Sequence, residues 1–417
     1  MRLLATVLLA AATLAACTPA PATDPRVVSE WMHTLYGVVR AERLTPPVAS
    51  RFLGYASVAF YEGMASVTPD LPTLVGVLNG LDALPDPEPG EPNDPTLVAV
   101  EAERTLLDSL LAEGLPTSRA TIAGLVDSLQ ASRDVPAAVR ERSLALGRRI
   151  GNAVVAWSRT DGFAETRTRP YVPPAGPGLW VNDAPGSIYA TQNASGVTQR
   201  VQLDNPANAL RAGGASDRDL ILNRPKRGDL AELPAVDPAG ATEPYWGTLR
   251  PFMLTAWNEC PIPEPPPYST DPQSALYHEA MEVVEAKRRL TPEQRTIALY
   301  WADNPGETAT PAGHWVAIAS QMVSQRKLSA PDAARLFVLS AVAQADAFIA
   351  AWGYKYQYNL LRPRTYIREL IDPTWEPLVP TPPFPEYPSG HSTQSGAAST
   401  VIRSFLGDGP FDDSTSL

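Results

Sequence analysis

The N-terminal part of the chain repeats apolar residues at the spacing of an amphipathic helix. In the stretch 24–43, for example, Val28, Trp31 and Leu35 fall on one face, because residues three or four apart lie on the same side of a helix. Thr45 followed by two prolines is typical of a helix start, since threonine can cap and proline is tolerated in the first turn. The pattern predicts five helices, over residues 24–43, 48–67, 96–113, 117–131 and 136–160.

Residues 161–271 show no such period. The segment is rich in proline and glycine, and a loop of this length is unusual in a compact domain. Aromatic residues along it are able to anchor it on a core. We therefore interpret it as an ordered proline-rich insertion that wraps around the rest of the protein. The aromatic anchors are Trp180, Tyr189, Tyr245, Trp246, Phe252 and Trp257.

Helical spacing returns after residue 272. It predicts helices over 273–289, 292–302, 313–325 and 330–352, and the last of these is apolar on nearly every side, which is typical of a buried helix. Strict alternation of apolar and polar residues is absent, so we expect few strands. The predicted fold is all-α. Its parts are an N-terminal helical region over 24–160, the insertion over 161–271 and a C-terminal helical region over 272–417.

The first 17 residues have a different pattern. A positively charged start precedes an apolar stretch over 3–16, too short for an ordinary membrane span, which ends at Cys17. These residues resemble the signal peptide and lipobox of bacterial lipoproteins. The resemblance implies that Cys17 is lipidated and that the protein is exported and anchored in the cell envelope, on the periplasmic or extracellular face. Cys260 would then be the single remaining thiol, so no internal disulfide is expected.

The composition is that of a globular protein with an acidic balance. The 417 residues carry a formal net charge of −11 at pH 7, and 44% of them are hydrophobic. This balance argues against a broad nucleic-acid interface, because phosphate recognition needs a basic surface. Net charge does not exclude one small cationic pocket.

Two cations follow the helix predicted over 330–352. On a continuing helix, Lys355 and Arg362 lie close to two turns apart and share a face, and Pro363 ends or kinks the helix there. Two like charges at the end of a buried helix repel each other unless an anion or carboxylates neutralise them. Taken alone, a solvated basic helix end is the simpler explanation.

A second cluster changes that balance. Pro388-Ser389-Gly390-His391 precedes a helix predicted over 392–405, so it offers backbone N–H groups, a hydroxyl and an imidazole at a helix N-terminus, where an anion is favoured. Gly390 permits a close approach, and His391 can exchange protons near neutral pH. Together the two clusters predict an oxyanion pocket.

Lys355, Arg362-Pro363 and Pro388-Ser389-Gly390-His391 resemble the first two motifs of the superfamily of vanadium-dependent haloperoxidases and type 2 phosphatidic acid phosphatases. The resemblance implies packed four-helix bundles and a pocket for vanadate, or for the phosphate group of a phosphoester substrate. It implies that Lys355, Arg362, Ser389 and the Gly390 N–H hold the oxygens and that His391 is the general acid–base.

The two branches of the superfamily use such a pocket differently. Haloperoxidases oxidise halide with bound vanadate and hydrogen peroxide, whereas phosphatases stabilise a transferring phosphoryl group. Trp352, about one turn before Lys355, resembles the halide-side wall of the haloperoxidases, although core packing explains an aromatic residue there equally well. No multi-helix membrane domain of a lipid phosphatase is visible. We therefore favour the haloperoxidase branch, with an acid phosphatase as the alternative.

The third motif of the superfamily, an Arg followed by a His, does not follow His391, which is the last histidine of the sequence. The histidine that ligates vanadate directly in haloperoxidases is therefore absent from this chain. His314 is interpreted as a capping or packing residue, with a place beside the pocket as the alternative. One hypothesis is a sequence cut short, whose exposed apolar faces favour self-association. The other is a non-catalytic surface lipoprotein that binds an oxyanion.

Overall fold

The computed structural model describes residues 23–167, 169–182 and 241–414. Within these ranges it contains twelve α-helices, one 3-10 turn and no β-strand, so the predicted all-α class is confirmed. The signal peptide predicted over 1–17, the lipidation site Cys17 and the aromatic anchor Tyr189 lie outside the described residues.

Five helices build the N-terminal region, each with ends within three residues of those predicted. Proline occupies the first turn of three of them, where its missing N–H costs no hydrogen bond. Asp94 caps the third, since its carboxylate accepts a hydrogen bond from the Leu97 N–H at 2.9 Å. The helices are α1 (Arg26–Glu42), α2 (Pro46–Ala65), α3 (Pro95–Leu110), α4 (Pro116–Ala131) and α5 (Ala137–Ser158).

The remaining helices follow a short helix α6 (Phe163–Thr166) and a 3-10 turn (Trp246–Thr248). They are α7 (Ala275–Arg289), α8 (Pro292–Tyr300), α9 (Thr310–Gln325), α10 (Ala330–Tyr358), α11 (Pro363–Leu370) and α12 (Gly390–Leu406). The sequence pattern predicted neither α6 nor α11, and it ended the helix corresponding to α10 at residue 352.

α2 and α10 form the centre of the core. Every residue of α2 except Ala65 is buried, and α10 packs against both α2 and α12. By length and composition α10 could cross a membrane, but most of it is buried inside the protein, as in the core helix of a globular fold. The start of α12 is thereby placed beside the C-terminal part of α10.

Glycines allow α3 to approach its neighbours closely. A Cβ added at Gly151 of α5 would lie 2.5 Å from the Ala102 carbonyl oxygen, and one at Gly63 of α2 would lie 2.7 Å from the Ala99 Cα. Such distances are not found for real Cβ atoms, so only glycine permits these helix contacts.

The described ends of the proline-rich segment pack on α10. Trp180 and Trp246 are both fully buried. The carboxylate of Asp346, on α10, accepts the backbone N–H groups of Phe252, Met253 and Leu254 at 2.6, 2.8 and 3.0 Å. One acidic side chain therefore holds three consecutive residues of the segment. The division of the chain at residues 160 and 271 stays a prediction.

Candidate oxyanion-binding site

A cavity of about 300 Å³ lies where the end of α10 meets the start of α12. The residues singled out from the sequence all line it, although they come from two helices and the turn between α10 and α11. They are Trp352, Lys355, Arg362, Ser389, Gly390 and His391. The roles assigned to them stay predictions, but their meeting in one cavity is a property of the fold.

Lys355 lies in the last turn of α10 and is almost completely buried. Its Nζ donates hydrogen bonds to the carbonyl oxygens of Pro385 and Glu386, at 2.9 and 2.7 Å. An ammonium group has three protons, so one donor remains. Burial, followed by the neighbouring charge of Arg362, lowers the pKa of Lys355 well below its ordinary value. A bound anion would favour the charged form.

Arg362 does not share a helix with Lys355, which corrects the sequence-based argument. α10 ends at Tyr358 because Asn359 adopts a left-handed conformation (φ 50°, ψ 37°), and Arg362 is the N-cap residue of α11. Arg362 Nε donates to the Phe384 carbonyl at 2.6 Å, and Nη1 donates to the Glu386 carboxylate at 2.7 Å. Its Nη2 is buried and has no hydrogen-bond partner in the described part of the chain.

The start of α12 forms the opposite wall. Ser389 is the N-cap residue, and its Oγ accepts the Ser392 N–H at 3.2 Å. Gly390 opens the helix against the ring of Trp352, where an added Cβ would lie 3.2 Å from a ring carbon. The absence of a side chain at Gly390 therefore keeps the helix N-terminus, with its favourable dipole, close to the aromatic wall.

His391 faces the cavity and is accessible to solvent. The cavity walls remove part of its water, which lowers the pKa of His391, and the positive charges of Lys355 and His314 act in the same direction. Asp303 opposes the shift without cancelling it. The imidazole is therefore neutral at pH 7 and able to accept a proton.

An aromatic wall closes one side of the cavity. The Trp352 ring lies 5.3 Å from Phe348 and 4.9 Å from Phe384 between centroids, and its Nε1 donates to the Thr242 carbonyl at 3.1 Å. The Trp352 ring thus packs in the core and also lines the cavity. Its role on the halide side stays a prediction.

An aspartate–histidine pair that the sequence did not predict lies beside the cavity. Asp303, a lining residue, accepts a hydrogen bond at 2.9 Å from Nδ1 of the buried His314, whose ring stacks on Trp301 at 4.1 Å. Burial lowers the pKa of His314, but the carboxylates of Asp303 and Asp413 outweigh it and raise the pKa. His314 is thus a packed side chain that pairs with a cavity residue.

Glu386 was missed as well. It lines the cavity and forms an ion pair with Arg362. Glu386 and Tyr387 belong to the surroundings of the second motif that resemble the superfamily, but the sequence carries no information about a partner 24 positions away.

Sequence comparisons relate the C-terminal region to one family. The family model of the VCPO second helical-bundle domain matches residues 335–417. The chain is also 29% identical, over 196 residues, to the vanadium chloroperoxidase of Curvularia inaequalis. That match takes in 39% of this chain and 32% of the other protein, so it spans about a third of the curated relative's length.

Comparison with solved structures extends the similarity to most of the chain. The crystal structure of a bacterial vanadium-dependent iodoperoxidase is similar with a TM-score of 0.73 and 30% identity, covering 94% of this chain and 83% of that one. The apo and holo forms of a bacterial vanadium-dependent chloroperoxidase give TM-scores of 0.57 and 0.56. Each covers 88% of this chain, and 78% and 77% of their own lengths, at 14% and 16% identity, which shows the fold alone.

Proposed function

The chain belongs to the vanadium-dependent haloperoxidase superfamily, and from that premise we propose that its cavity holds vanadate and that the protein oxidises a halide with hydrogen peroxide. The observation that carries the proposal is the convergence of Lys355, Arg362 and the Ser389–His391 helix start on one cavity. Donors from separate elements that meet in this way fit a small oxyanion.

The donor set fits vanadate in a second respect. Nη2 of Arg362 is a buried donor without a partner in the described part of the chain. Leaving a buried donor unpaired is unfavourable, and an oxygen of a bound oxyanion would satisfy it. The free proton of Lys355 Nζ and the N–H of Gly390 would supply further hydrogen bonds, while Ser389 Oγ would supply another.

Each residue then has a role that follows from its surroundings. Bound vanadate would supply the activation of peroxide toward halide. Lys355 and Arg362 would hold the negatively charged oxygens, and the N-terminus of α12 would add its partial positive charge. His391, neutral at pH 7, would accept a proton from hydrogen peroxide at a ring nitrogen. Trp352 and its aromatic neighbours would offer a weakly polar wall to the halide.

The proposal is tested with the purified chain incubated with orthovanadate and assayed for oxidation of iodide and bromide by hydrogen peroxide. Lys355→Ala is expected to weaken vanadate binding and to lower halide oxidation by about 100-fold, because a buried charge-assisted donor is removed. Lys327→Ala, at an exposed position outside the cavity, is the control and should behave like the wild type. Tight vanadate binding without any halide oxidation would contradict the haloperoxidase assignment.

An acid phosphatase is the second candidate, since the same donors fit a phosphoryl group. Hydrolysis of p-nitrophenyl phosphate that vanadate inhibits, with no halide oxidation, would favour it. Binding of both anions without either reaction would favour a non-catalytic oxyanion-binding protein. The aromatic wall beside Gly390 supports the haloperoxidase over both alternatives.

A further inference from the structure

Glu386 bridges the two cations of the cavity. Its backbone carbonyl accepts a hydrogen bond from Lys355 Nζ at 2.7 Å, and its carboxylate accepts one from Arg362 Nη1 at 2.7 Å. The carbonyls of Phe384 and Pro385 accept the neighbouring donors of the same two side chains. Three consecutive residues of this chain therefore already occupy donors that an oxyanion would use.

Glu386 stays negatively charged in this position. Burial opposes ionisation, but the charges of Arg362 and then Lys355 outweigh it and lower the pKa of the Glu386 carboxyl. Arg362 is permanently charged, so the ion pair cancels its charge toward the cavity. Among the described residues, Asp303 is the other carboxylate that lines the cavity, and it is engaged by His314.

The Glu386 side chain also borders a second groove. It is 36% exposed and lines a second groove of about 760 Å³ on the far side, next to α7 and α11. Glu264 and Glu279 are the other charged groups along that groove. The carboxylate therefore borders both the cavity and a groove open to solvent.

We propose that Glu386 is a specificity-determining residue, an internal carboxylate that competes with the oxyanion for Arg362 and makes the pocket favour singly charged over doubly charged oxyanions. The inference rests on the proposed function, because it concerns the same pocket. Repulsion between charges scales with their product, so a carboxylate beside the pocket penalises a dianion about twice as much, in free energy, as a monoanion. Near pH 7.5 vanadate is mainly the monoanion, whereas phosphate is largely the dianion. Glu386 would thus help the pocket choose vanadate in the presence of phosphate.

The test compares the affinities of the wild type and Glu386→Gln for orthovanadate and inorganic phosphate, by isothermal titration calorimetry at pH 7.5. Glutamine keeps the size and an acceptor oxygen but not the charge. Vanadate is expected to bind about tenfold more tightly to Glu386→Gln, and phosphate about 100-fold more tightly, so that the preference for vanadate falls about tenfold. Glu279→Gln, which lines only the second groove, is the matched control and should leave both affinities unchanged.

The melting temperature of each variant shows whether a change in affinity comes from a loss of folding. If Glu386→Gln melts at a lower temperature than the wild type, the titrations are repeated with Glu386→Ala. Weaker binding of both anions to these variants would overturn the inference, because Glu386 would then merely hold Arg362 in place. An equal gain for both anions would overturn the selectivity claim. If wild type and Glu386→Gln bind neither anion, the proposed function itself fails, and the inference fails with it.

Discussion

Burial acts on single charged residues of this protein in different ways. Lys355 and Arg362 are buried beside carbonyl oxygens and a carboxylate, so their charges are partly compensated. Glu103, on α3, is completely buried, and neither carboxylate oxygen has a hydrogen-bond partner in the described part of the chain. Its burial raises the pKa of the carboxyl well above the ordinary value. The residue types were visible in the sequence, but the partners that decide each charge state were not.

Replacing Glu103 tests whether burial raises the pKa of its carboxyl. Because its pKa is raised, Glu103 costs little stability at low pH, where it is protonated in both the folded and the unfolded chain. The cost grows progressively as the pH rises above the pKa that the carboxyl has in the unfolded chain. Glu103→Met is therefore expected to raise the free energy of unfolding by about 2 kcal/mol at pH 7. The gain should shrink at pH 4. Urea denaturation at both pH values measures it.

Glu103→Gln is the matched control, because it keeps a buried polar group but cannot ionise. The pH dependence of stability that Glu103 contributes should disappear in this variant. Its free energy of unfolding should rise by less than that of Glu103→Met. If the difference in stability between wild type and Glu103→Met does not change between pH 4 and pH 7, the pKa of Glu103 is not raised in the folded protein.

At the scale of helices, the sequence pattern predicted the long regular helices best and their ends less well. The predicted helices 330–352 and 392–405 correspond to α10 and α12, but α10 continues to Tyr358. Its end depends on contacts from the proline-rich segment: the Trp180 N–H donates to the Asn359 carbonyl at 2.8 Å, and Asn359 Nδ2 donates to the Tyr171 hydroxyl at 3.1 Å. Helical periodicity carries no information about such distant partners, so the sequence predicted a helix over 330–352 and, only if that helix continued, an end at Pro363.

The hydrogen bonds between Asp346 of α10 and the proline-rich segment can be tested by mutation. Asp346→Asn keeps one acceptor oxygen but turns an amide donor toward backbone N–H groups of residues 252–254. We expect it to lower the free energy of unfolding by about 3 kcal/mol, because hydrogen bonds to a buried charge are lost. Hydrogen exchange of the Phe252, Met253 and Leu254 amides should become faster.

Asp127→Asn is the control for that experiment, since Asp127 is exposed on α4. It should leave both the stability and the exchange of those amides unchanged. Unaltered exchange in Asp346→Asn would show that other contacts, such as the packing of Phe252, hold the segment in place.

At the scale of the whole molecule, helix packing decides what each glycine does. Gly124 on α4 has open space around the position of a Cβ, whereas a Cβ at Gly151 on α5 would meet the backbone of α3. Gly124→Ala is expected to raise the free energy of unfolding by about 0.5–1 kcal/mol through helix propensity. Gly151→Ala should lower it by about 2 kcal/mol through overpacking. Chemical denaturation of the two variants measures both.

The same substitution is thus expected to have opposite effects in α4 and α5, because the space around the two glycines differs. Equal effects in the two variants would mean that α3 and α5 move apart at little cost. In that case the close packing around α3 would not fix the arrangement of the N-terminal helices.

The sequence by itself determined the all-α class, nearly all of the helices and the two clusters of residues that line the cavity. It could do so because helical periodicity and the Ser389–His391 helix start are local properties of the chain. Only the tertiary structure decided that α10 ends at Tyr358, that α11 follows, and that Glu386 and Asp303 join the cavity. These features depend on contacts between residues far apart in sequence, and the path that brings them together is set by packing of the whole fold rather than by any local pattern.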